Sequence, residues 1–250
     1  MPIKIEYLGW SVFRLTTAQG TKIVTDPFLA GDDTRKVPPA VVAVKDLVDT
    51  DIVTVTHAAK DHDAQTVELM KASKATLFCP RDVYAKAIKA NIPSERAYFM
   101  VPGVRFKFMD IYIKAFEASH ISLSEFNGHW ITGVPLSYIF DFGADGKVFF
   151  SGDNALGLHY RFIGEMYHPD LAILGIGGVV QKDQYLTELY PDEAAVAARW
   201  LNVQGVIPMH YLGNESEEFA KEIRKQAPAV KLTVMKPGEA VHFSRSEGIK

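Results

Sequence analysis

The stretch Thr56-His57-Ala58-Ala59-Lys60-Asp61-His62-Asp63 decides how this chain is interpreted. It continues the apolar, β-branched run Asp51-Ile52-Val53-Thr54-Val55, which is typical of a strand covered on both faces. Two imidazoles and a carboxylate therefore lie just beyond the carboxyl end of a buried strand, where open sheets usually place ligand sites. Such ligands together suit zinc, iron or manganese. A surface loop can also hold two histidines by chance. Residues elsewhere in the chain are therefore needed to distinguish a metal site from such a loop.

Polar side chains follow three further strand-like runs at the point where each run ends. These residues are His120 after Phe116–Ser119, Asp153 after Phe149–Gly152 and His210 after Val206–Met209. A strand in the core does not need a His or an Asp at its end, whereas a site built from several strand ends does. The four segments together therefore favour a metal site over a chance surface loop.

The composition is that of an ordinary soluble domain, with 48% hydrophobic and 23% charged residues. A length of 250 residues predicts one domain spanning residues 1–250. The formal charge of −3 gives no excess of Lys and Arg, so we do not expect a nucleic-acid partner. The single cysteine, Cys79, excludes an internal disulfide and any multi-cysteine metal site, and favours the cytoplasm.

No membrane segment is expected. The longest apolar stretch, Leu171–Val180, contains three glycines and is far shorter than the roughly 20 residues that a membrane helix needs.

Elsewhere, strand-like runs alternate with helical patterns, which predicts sheets covered by helices. Gly143–Gly146 predicts a hairpin, Asp63 is predicted to cap a helix, and Pro191 is predicted in the first turn of a helix running to Asn202.

The order and spacing of these polar residues resemble the metallo-β-lactamase superfamily, whose loop motif H-x-H-x-D-H is followed by a distant His, Asp and His. The resemblance covers nearly the whole chain. It is closest to the UlaG-like metal-dependent hydrolases, a group named for L-ascorbate-6-phosphate lactonase, and Asp170–Gly178 and Val206–Tyr211 carry this closer likeness. The resemblance implies an α/β (α+β) fold, a four-layer αββα sandwich with metals in a cleft at one edge of the two sheets.

The resemblance implies two metal positions, of which one is complete. The second position of the family uses the motif Asp, the last motif His and the final His, which correspond here to Asp61, His62 and His210. Asp153 corresponds to the carboxylate that bridges both metals. Two His and two Asp ligands are therefore expected to hold one divalent ion tightly, with zinc as the favoured ion and manganese or iron as alternatives.

The other metal position lacks a ligand. It corresponds to His57, Ala59 and His120, together with the shared Asp153, and Ala59 has no donor atom. A second ion is therefore expected to bind more weakly, with water or substrate completing its shell. Alternatively, His57 acts as a hydrogen-bonding or proton-transfer group.

These assignments predict a metal-dependent hydrolase that acts on a small lactone, ester or phosphorylated metabolite. The metal lowers the pKa of bound water towards about 7, Asp61 or Asp153 steers the water, and His57 passes a proton to the leaving group. Two alternatives stay open. One is a phosphodiesterase or nuclease of the same fold, and the other is a non-catalytic metal-binding protein left by the loss of a ligand at Ala59. The resemblance also makes a homo-oligomer reasonable.

We also assign expected roles to three residues outside the ligand set. Asp26, before Pro27, matches an early Asp of the family and is expected to orient a ligand histidine by accepting its other N–H. Lys60 is expected to be solvated rather than to point into the site. His129, followed by Trp130, is a candidate for the border of the pocket.

Overall fold

The computed structural model describes residues 2–177, 180–181, 184–185 and 188–250. Gly178, part of the stretch that carries the closer resemblance, lies outside the described residues. The strands are β1 (Ile3–Gly9), β2 (Val12–Thr16), β3 (Lys22–Thr25), β4 (Ile52–Thr54), β5 (Thr76–Cys79), β6 (Ala97–Phe99), β7 (Arg105–Phe108), β8 (Ile111–Glu117), β9 (Leu123–Phe126), β10 (His129–Thr132), β11 (Leu136–Asp141), β12 (Lys147–Phe150), β13 (Leu171–Gly175), β14 (Val180–Gln181), β15 (Gln184–Tyr185), β16 (Gly205–Met209), β17 (Lys231–Leu232), β18 (Ala240–Ser244) and β19 (Gly248–Ile249). The α-helices are α1 (Lys60–Asp63), α2 (Thr66–Ala72), α3 (Arg81–Lys89), α4 (Leu158–Tyr167), α5 (Pro191–Leu201) and α6 (Glu215–Gln226).

Two large mixed sheets pack face to face. The first has the strand order β19-β18-β1-β2-β3-β4-β5-β6, and the second has the order β17-β16-β13-β12-β11-β8-β7. Successive side chains of a strand point to opposite faces. Accordingly, Ile52 of β4 joins the core between the sheets, whereas Val53 joins the core beneath α2 and α3. Likewise Phe150 of β12 faces the first sheet, whereas Phe149 packs against α4, α5 and α6. The layers are therefore helix, sheet, sheet, helix, as the sequence predicts.

The strands that carry the candidate ligands run in one direction. In the first sheet, β3 and β4 are parallel. In the second sheet, β12, β13 and β16 are parallel to one another. Strand β8 runs the same way, because both β8 and β12 pair antiparallel with β11. The carboxyl ends of these strands consequently meet at one edge of the sandwich, where a ligand site is expected.

Local sequence signals are largely, but not wholly, confirmed. The hairpin at Gly143–Gly146 joins the antiparallel strands β11 and β12, and Pro191 is the first residue of α5. The prediction that Asp63 caps a helix is wrong: α2 begins at Thr66. The reason is tertiary. The backbone N–H of Gln65 donates to Pro27 O, and the Gln65 side chain accepts from Leu29 N, so the chain is held out of a continuous helix.

Three non-glycine residues at this edge adopt backbone conformations of positive φ. Trp10, Asp26 and His210 have φ values of 53°, 37° and 58°. Left-handed conformations of non-glycine residues cost energy and persist where the surroundings enforce them, often at functional sites. Gly152, with φ 58°, supplies the turn before Asp153, and a Cβ atom there would lie 2.7 Å from the Thr56 side chain.

Among the described residues, no helix combines the length and the apolar character needed to cross a bilayer.

Candidate metal centre

The predicted ligands come together from distant parts of the chain. His57, His120 and Asp153 each lie three residues beyond the ends of β4, β8 and β12, and His210 directly follows β16. Asp61 and His62 belong to α1, the short helix after His57. Among the described residues, two groups bring donor atoms within 4.8 Å of one another: the first is Asp61, His62, Asp153 and His210, and the second is His57, His120 and Asp153.

The first group has the spacing of a tetrahedral metal shell. His62 Nε2 and His210 Nε2 lie 3.1 and 3.4 Å from Asp153 Oδ2. The same two nitrogens lie 3.9 and 3.2 Å from Asp61 Oδ2. With metal–ligand distances of about 2.1 Å, a tetrahedron has edges of about 3.4 Å. The four donor atoms therefore need only small shifts to enclose one divalent ion.

Unsatisfied polar atoms support the same interpretation. Asp153 Oδ1 and His57 Nε2 are buried and make no hydrogen bond to any described residue. A buried polar atom without a partner costs about 1–3 kcal/mol, so a molecule rarely keeps several of them together without a ligand. The donor set of imidazole nitrogens and carboxylate oxygens suits zinc, iron or manganese. The residues present therefore fit a divalent metal ion.

The second group is looser. His57 Nε2 and His120 Nε2 lie 3.9 and 3.7 Å from Asp153 Oδ2. Ala59 is partly buried at the start of α1 and offers only a methyl group. Three side chains are thus available where the family has four, and a metal ion here depends on ligands from solvent or substrate.

Asp26 orients two of the candidate ligands. Its Oδ2 atom lies 2.8 Å from His62 Nδ1 and also accepts the Thr56 hydroxyl at 2.8 Å, while its Oδ1 accepts the Thr56 N–H. Because the Thr56 hydroxyl donates to Asp26, its oxygen accepts from His57 Nδ1 at 3.0 Å. Both histidines therefore carry the proton on Nδ1 and present Nε2 to the centre. Sequence reasoning assigned Asp26 to one histidine and missed the relay through Thr56.

Replacing Asp26 with Asn is expected to lower the metal affinity about 10- to 100-fold, the usual cost of losing an outer partner of a ligand histidine. The Asn amide has a similar size, but its NH2 group cannot accept a hydrogen bond. Either the contacts with His62 Nδ1 and the Thr56 hydroxyl or the contact with Thr56 N–H is therefore lost. Competition titration with a chelator measures the affinity. An unchanged affinity would show that His62 does not need this contact. Asp63→Asn, on a buried carboxylate that pairs with Lys86 instead, is the control.

Glu188 supports His210 from the side opposite the centre. Its Oε2 atom lies 3.0 Å from His210 Nδ1, and both side chains are buried. Burial, followed by repulsion from Asp153, raises the pKa of Glu188 to about 7. The indole of Trp10 packs against the His210 ring, with 4.0 Å between the ring centroids and a tilt of 44°, and donates to Asp61 Oδ2 at 3.4 Å. No sequence signal pointed to Glu188 or Trp10, because each reaches the site only through the packing of its loop.

The buried charges of the site shift the pKa values of the carboxylates and of the histidines in opposite directions. Burial by itself raises the pKa of Asp61 and of Asp153, but neighbouring histidines outweigh it and leave both pKa values lowered. Burial by itself lowers the pKa of His62 and of His210, but the carboxylates outweigh it and leave both raised. His57 differs, because burial and repulsion from His62 lower its pKa well below the usual value. At neutral pH His57 is thus a neutral imidazole.

Other predicted residues lie at the periphery. Lys60 is 69% exposed and pairs with Asp32 at 3.1 Å, so the expectation of a solvated Lys60 is confirmed. His129 and Trp130 are exposed on β10, and the Trp130 side chain is 70% accessible. Arg35, which the sequence did not single out, donates from Nη1 to Asp61 Oδ2 at 2.9 Å.

Comparison with known proteins decides the family. The Beta-lactamase superfamily domain matches residues 4–210. A UPF0173 metal-dependent hydrolase of Rubrobacter xylanophilus is 35% identical over 246 residues, covering 94% of this chain and 95% of the relative. This chain belongs to the beta-lactamase superfamily. A second superfamily relative, a UPF0173 metal-dependent hydrolase of Methanopyrus kandleri, is 30% identical and covers 95% of this chain and 99% of its own.

A solved structure shares the fold of this beta-lactamase superfamily protein over its full length. It is Igni18, described as a novel metallo hydrolase from the archaeon Ignicoccus hospitalis. The TM-score is 0.80 at 26% identity, and the match covers 98% of this chain and 99% of that one. The predicted fold, the predicted superfamily and the predicted class of enzyme, a metal-dependent hydrolase, are confirmed by these relatives.

Proposed function

We propose that this metal-dependent hydrolase holds one divalent ion tightly and cleaves a small lactone, ester or phosphorylated metabolite. The observation that carries the proposal is the spacing of the four donors Asp61, His62, Asp153 and His210, which matches one tetrahedral shell. Zinc is the favoured ion, with manganese or iron as alternatives. A second ion on the three-residue group binds more weakly, because Ala59 adds no ligand.

The residues of the candidate metal site would have different roles in the reaction. A bound divalent ion supplies a Lewis acid and lowers the pKa of the water that it holds towards about 7. Asp153 places its second carboxylate oxygen, Oδ1, in the buried site without a protein partner, and we assign it to orienting the attacking water. Asp61, which the Trp10 indole and Arg35 hold in place, would supply a further carboxylate ligand to the ion.

His57 is suited to move a proton. Its Nδ1 proton is held by Thr56, so the buried Nε2 is free to accept a proton from water and to pass it to the leaving group. The lowered pKa of His57 keeps the ring neutral at neutral pH, so the Nε2 lone pair is unprotonated. Asp26 stabilises the positive charge that the ring then gains, acting through the Thr56 hydroxyl.

Metal analysis combined with a substrate panel tests this proposal. We expect about one equivalent of metal per chain after purification and a second equivalent only in excess metal. The loaded protein should hydrolyse at least one of a lactone, a carboxylic ester and a phosphate monoester faster than a phosphodiester. Chelation should remove the activity, and metal should restore it. Metal-loaded protein that cleaves only the phosphodiester would favour the phosphodiesterase alternative, and inactivity on every substrate would contradict the proposal.

We further propose that the enzyme works in the cytoplasm on small molecules. The single cysteine, Cys79, is buried and unpaired in β5, which supports a reducing compartment. The overall charge of −3 supports small substrates rather than long nucleic acids.

A further inference from the structure

Arg35 places a positive charge at the border between the metal centre and solvent. It lies in the loop between β3 and β4, away from regular secondary structure. Its Nη1 donates to Asp61 Oδ2 at 2.9 Å, and its side chain is 30% exposed. The Arg35 side chain therefore contacts both a candidate metal ligand and solvent.

Arg35 is one of three groups that contact Asp61 Oδ2. The Trp10 indole and His210 Nε2 also contact this atom, at 3.4 and 3.2 Å. Asp61 therefore does not depend on Arg35 alone, and the partly exposed side chain of Arg35 can meet a second group that arrives from solvent.

The local charge favours an anion as this second group. Arg35 and Lys60 bring two cationic side chains to this part of the rim. Asp32 accepts from Lys60 at 3.1 Å and lies 3.4 Å from Arg35 Nε, so one carboxylate serves two cations. These three side chains together therefore carry one net positive charge, although the whole chain carries a formal charge of −3. A local positive field of this kind attracts anionic ligands.

The donor geometry also suits an anion. Arg35 Nη1 donates to Asp61 Oδ2 at 2.9 Å and Nε lies 3.4 Å from Asp32 Oδ2, while the side chain stays 30% exposed. A planar guanidinium recognises two oxygens of a phosphate or a carboxylate with parallel N–H donors. We propose that Arg35 binds an anionic group of the substrate, a phosphate or a carboxylate, next to the bond that is cleaved. This inference rests on the proposed function and narrows the substrate to anionic small molecules.

Binding of inorganic phosphate and of acetate to the zinc-loaded protein, measured by calorimetry, tests the inference. Arg35→Gln is expected to weaken the binding of at least one anion about 10- to 100-fold, the effect of losing charge-assisted hydrogen bonds. The anion that loses more affinity identifies the recognised group. Arg35→Lys, which keeps the charge but loses the fork, should show a smaller loss. Arg161→Gln removes an exposed arginine that pairs with Glu165 on α4, and should change neither affinity.

Metal content, measured on every variant, separates the outcomes. Unchanged affinity for both anions in Arg35→Gln would overturn the inference. Loss of the metal ion in that variant would overturn it as well, because Arg35 would then support Asp61 rather than the substrate. If Arg35→Gln does not fold, the loss in Arg35→Lys decides by the same criteria. Because anion binding needs no turnover, a wild-type protein without hydrolytic activity would contradict only the proposed function.

Discussion

Replacing Asp61 with Ala is expected to abolish tight metal binding and hydrolysis together. In the proposed metal centre Asp61 is one of four donors, and its Oδ2 lies 3.2 Å from His210 Nε2. Its removal leaves three candidate ligands. It also leaves Asp153 as the one carboxylate of that group to balance the positive charge of the ion. We expect the metal affinity to fall by more than the roughly 10- to 100-fold that loss of an outer partner costs. Metal analysis after dialysis, together with the hydrolysis rate, measures both effects.

Asp63→Asn is the matched control for this substitution. Asp63 lies in the same short helix and is also buried, but its carboxylate pairs with Lys86 at 2.8 Å and belongs to neither metal group. Its loss should affect stability more than metal content. Full activity and a normal metal content in Asp61→Ala would reject the assignment of the metal centre.

Replacing Ala59 with His is expected to raise the tightly bound metal from one to two equivalents per chain. The family resemblance places the missing ligand at this position, beside His57, His120 and Asp153. Ala59 adopts an extended conformation, with φ −150° and ψ 149°, which a histidine tolerates. It also lines an open groove of about 690 Å³, so a larger side chain has space. Competition with a chelator measures the affinity for the second ion.

Ala64→His, in the same groove but outside both metal groups, tests whether any added histidine binds an ion there. An equal gain in both variants would show that the second equivalent is nonspecific. If hydrolysis appears only in Ala59→His, the native chain is a metal-binding protein rather than an enzyme, and the one-metal mechanism is wrong. If the wild-type protein already cleaves the substrate and Ala59→His cleaves it faster, the result would fit the proposal.

The candidate ligands could be predicted because each interrupts a local pattern. His57, His120, Asp153 and His210 follow apolar strand-like runs, and a short stretch of chain is sufficient to show this. The helix boundary near Asp63 could not be predicted, because the contacts of Gln65 with Pro27 and Leu29 end one helix and delay the next.

The sequence did not predict the contacts of Glu188 and Arg35 with the site, because they too join segments that are distant along the chain. Glu188 reaches His210 from a different segment, and Arg35 reaches Asp61 across 26 positions of sequence. Neither residue stands out by its type or by its neighbours. Thr56 stands beside His57, yet its role as a hydrogen-bond relay emerges only when the distance to Asp26 is known.

The amino-acid sequence by itself determined the types of candidate donor and their order, because donor chemistry is fixed by the side chain and does not depend on folding. The family resemblance implied the grouping of the donors and the gap at Ala59. Only the tertiary structure decided how close the donor atoms of each group lie. Asp61 and His210 are 149 positions apart, and the packing of the two sheets brings their donor atoms to 3.2 Å. The same packing places the Arg35 charge at the rim, since the position of a charge relative to a site is a property of the folded chain.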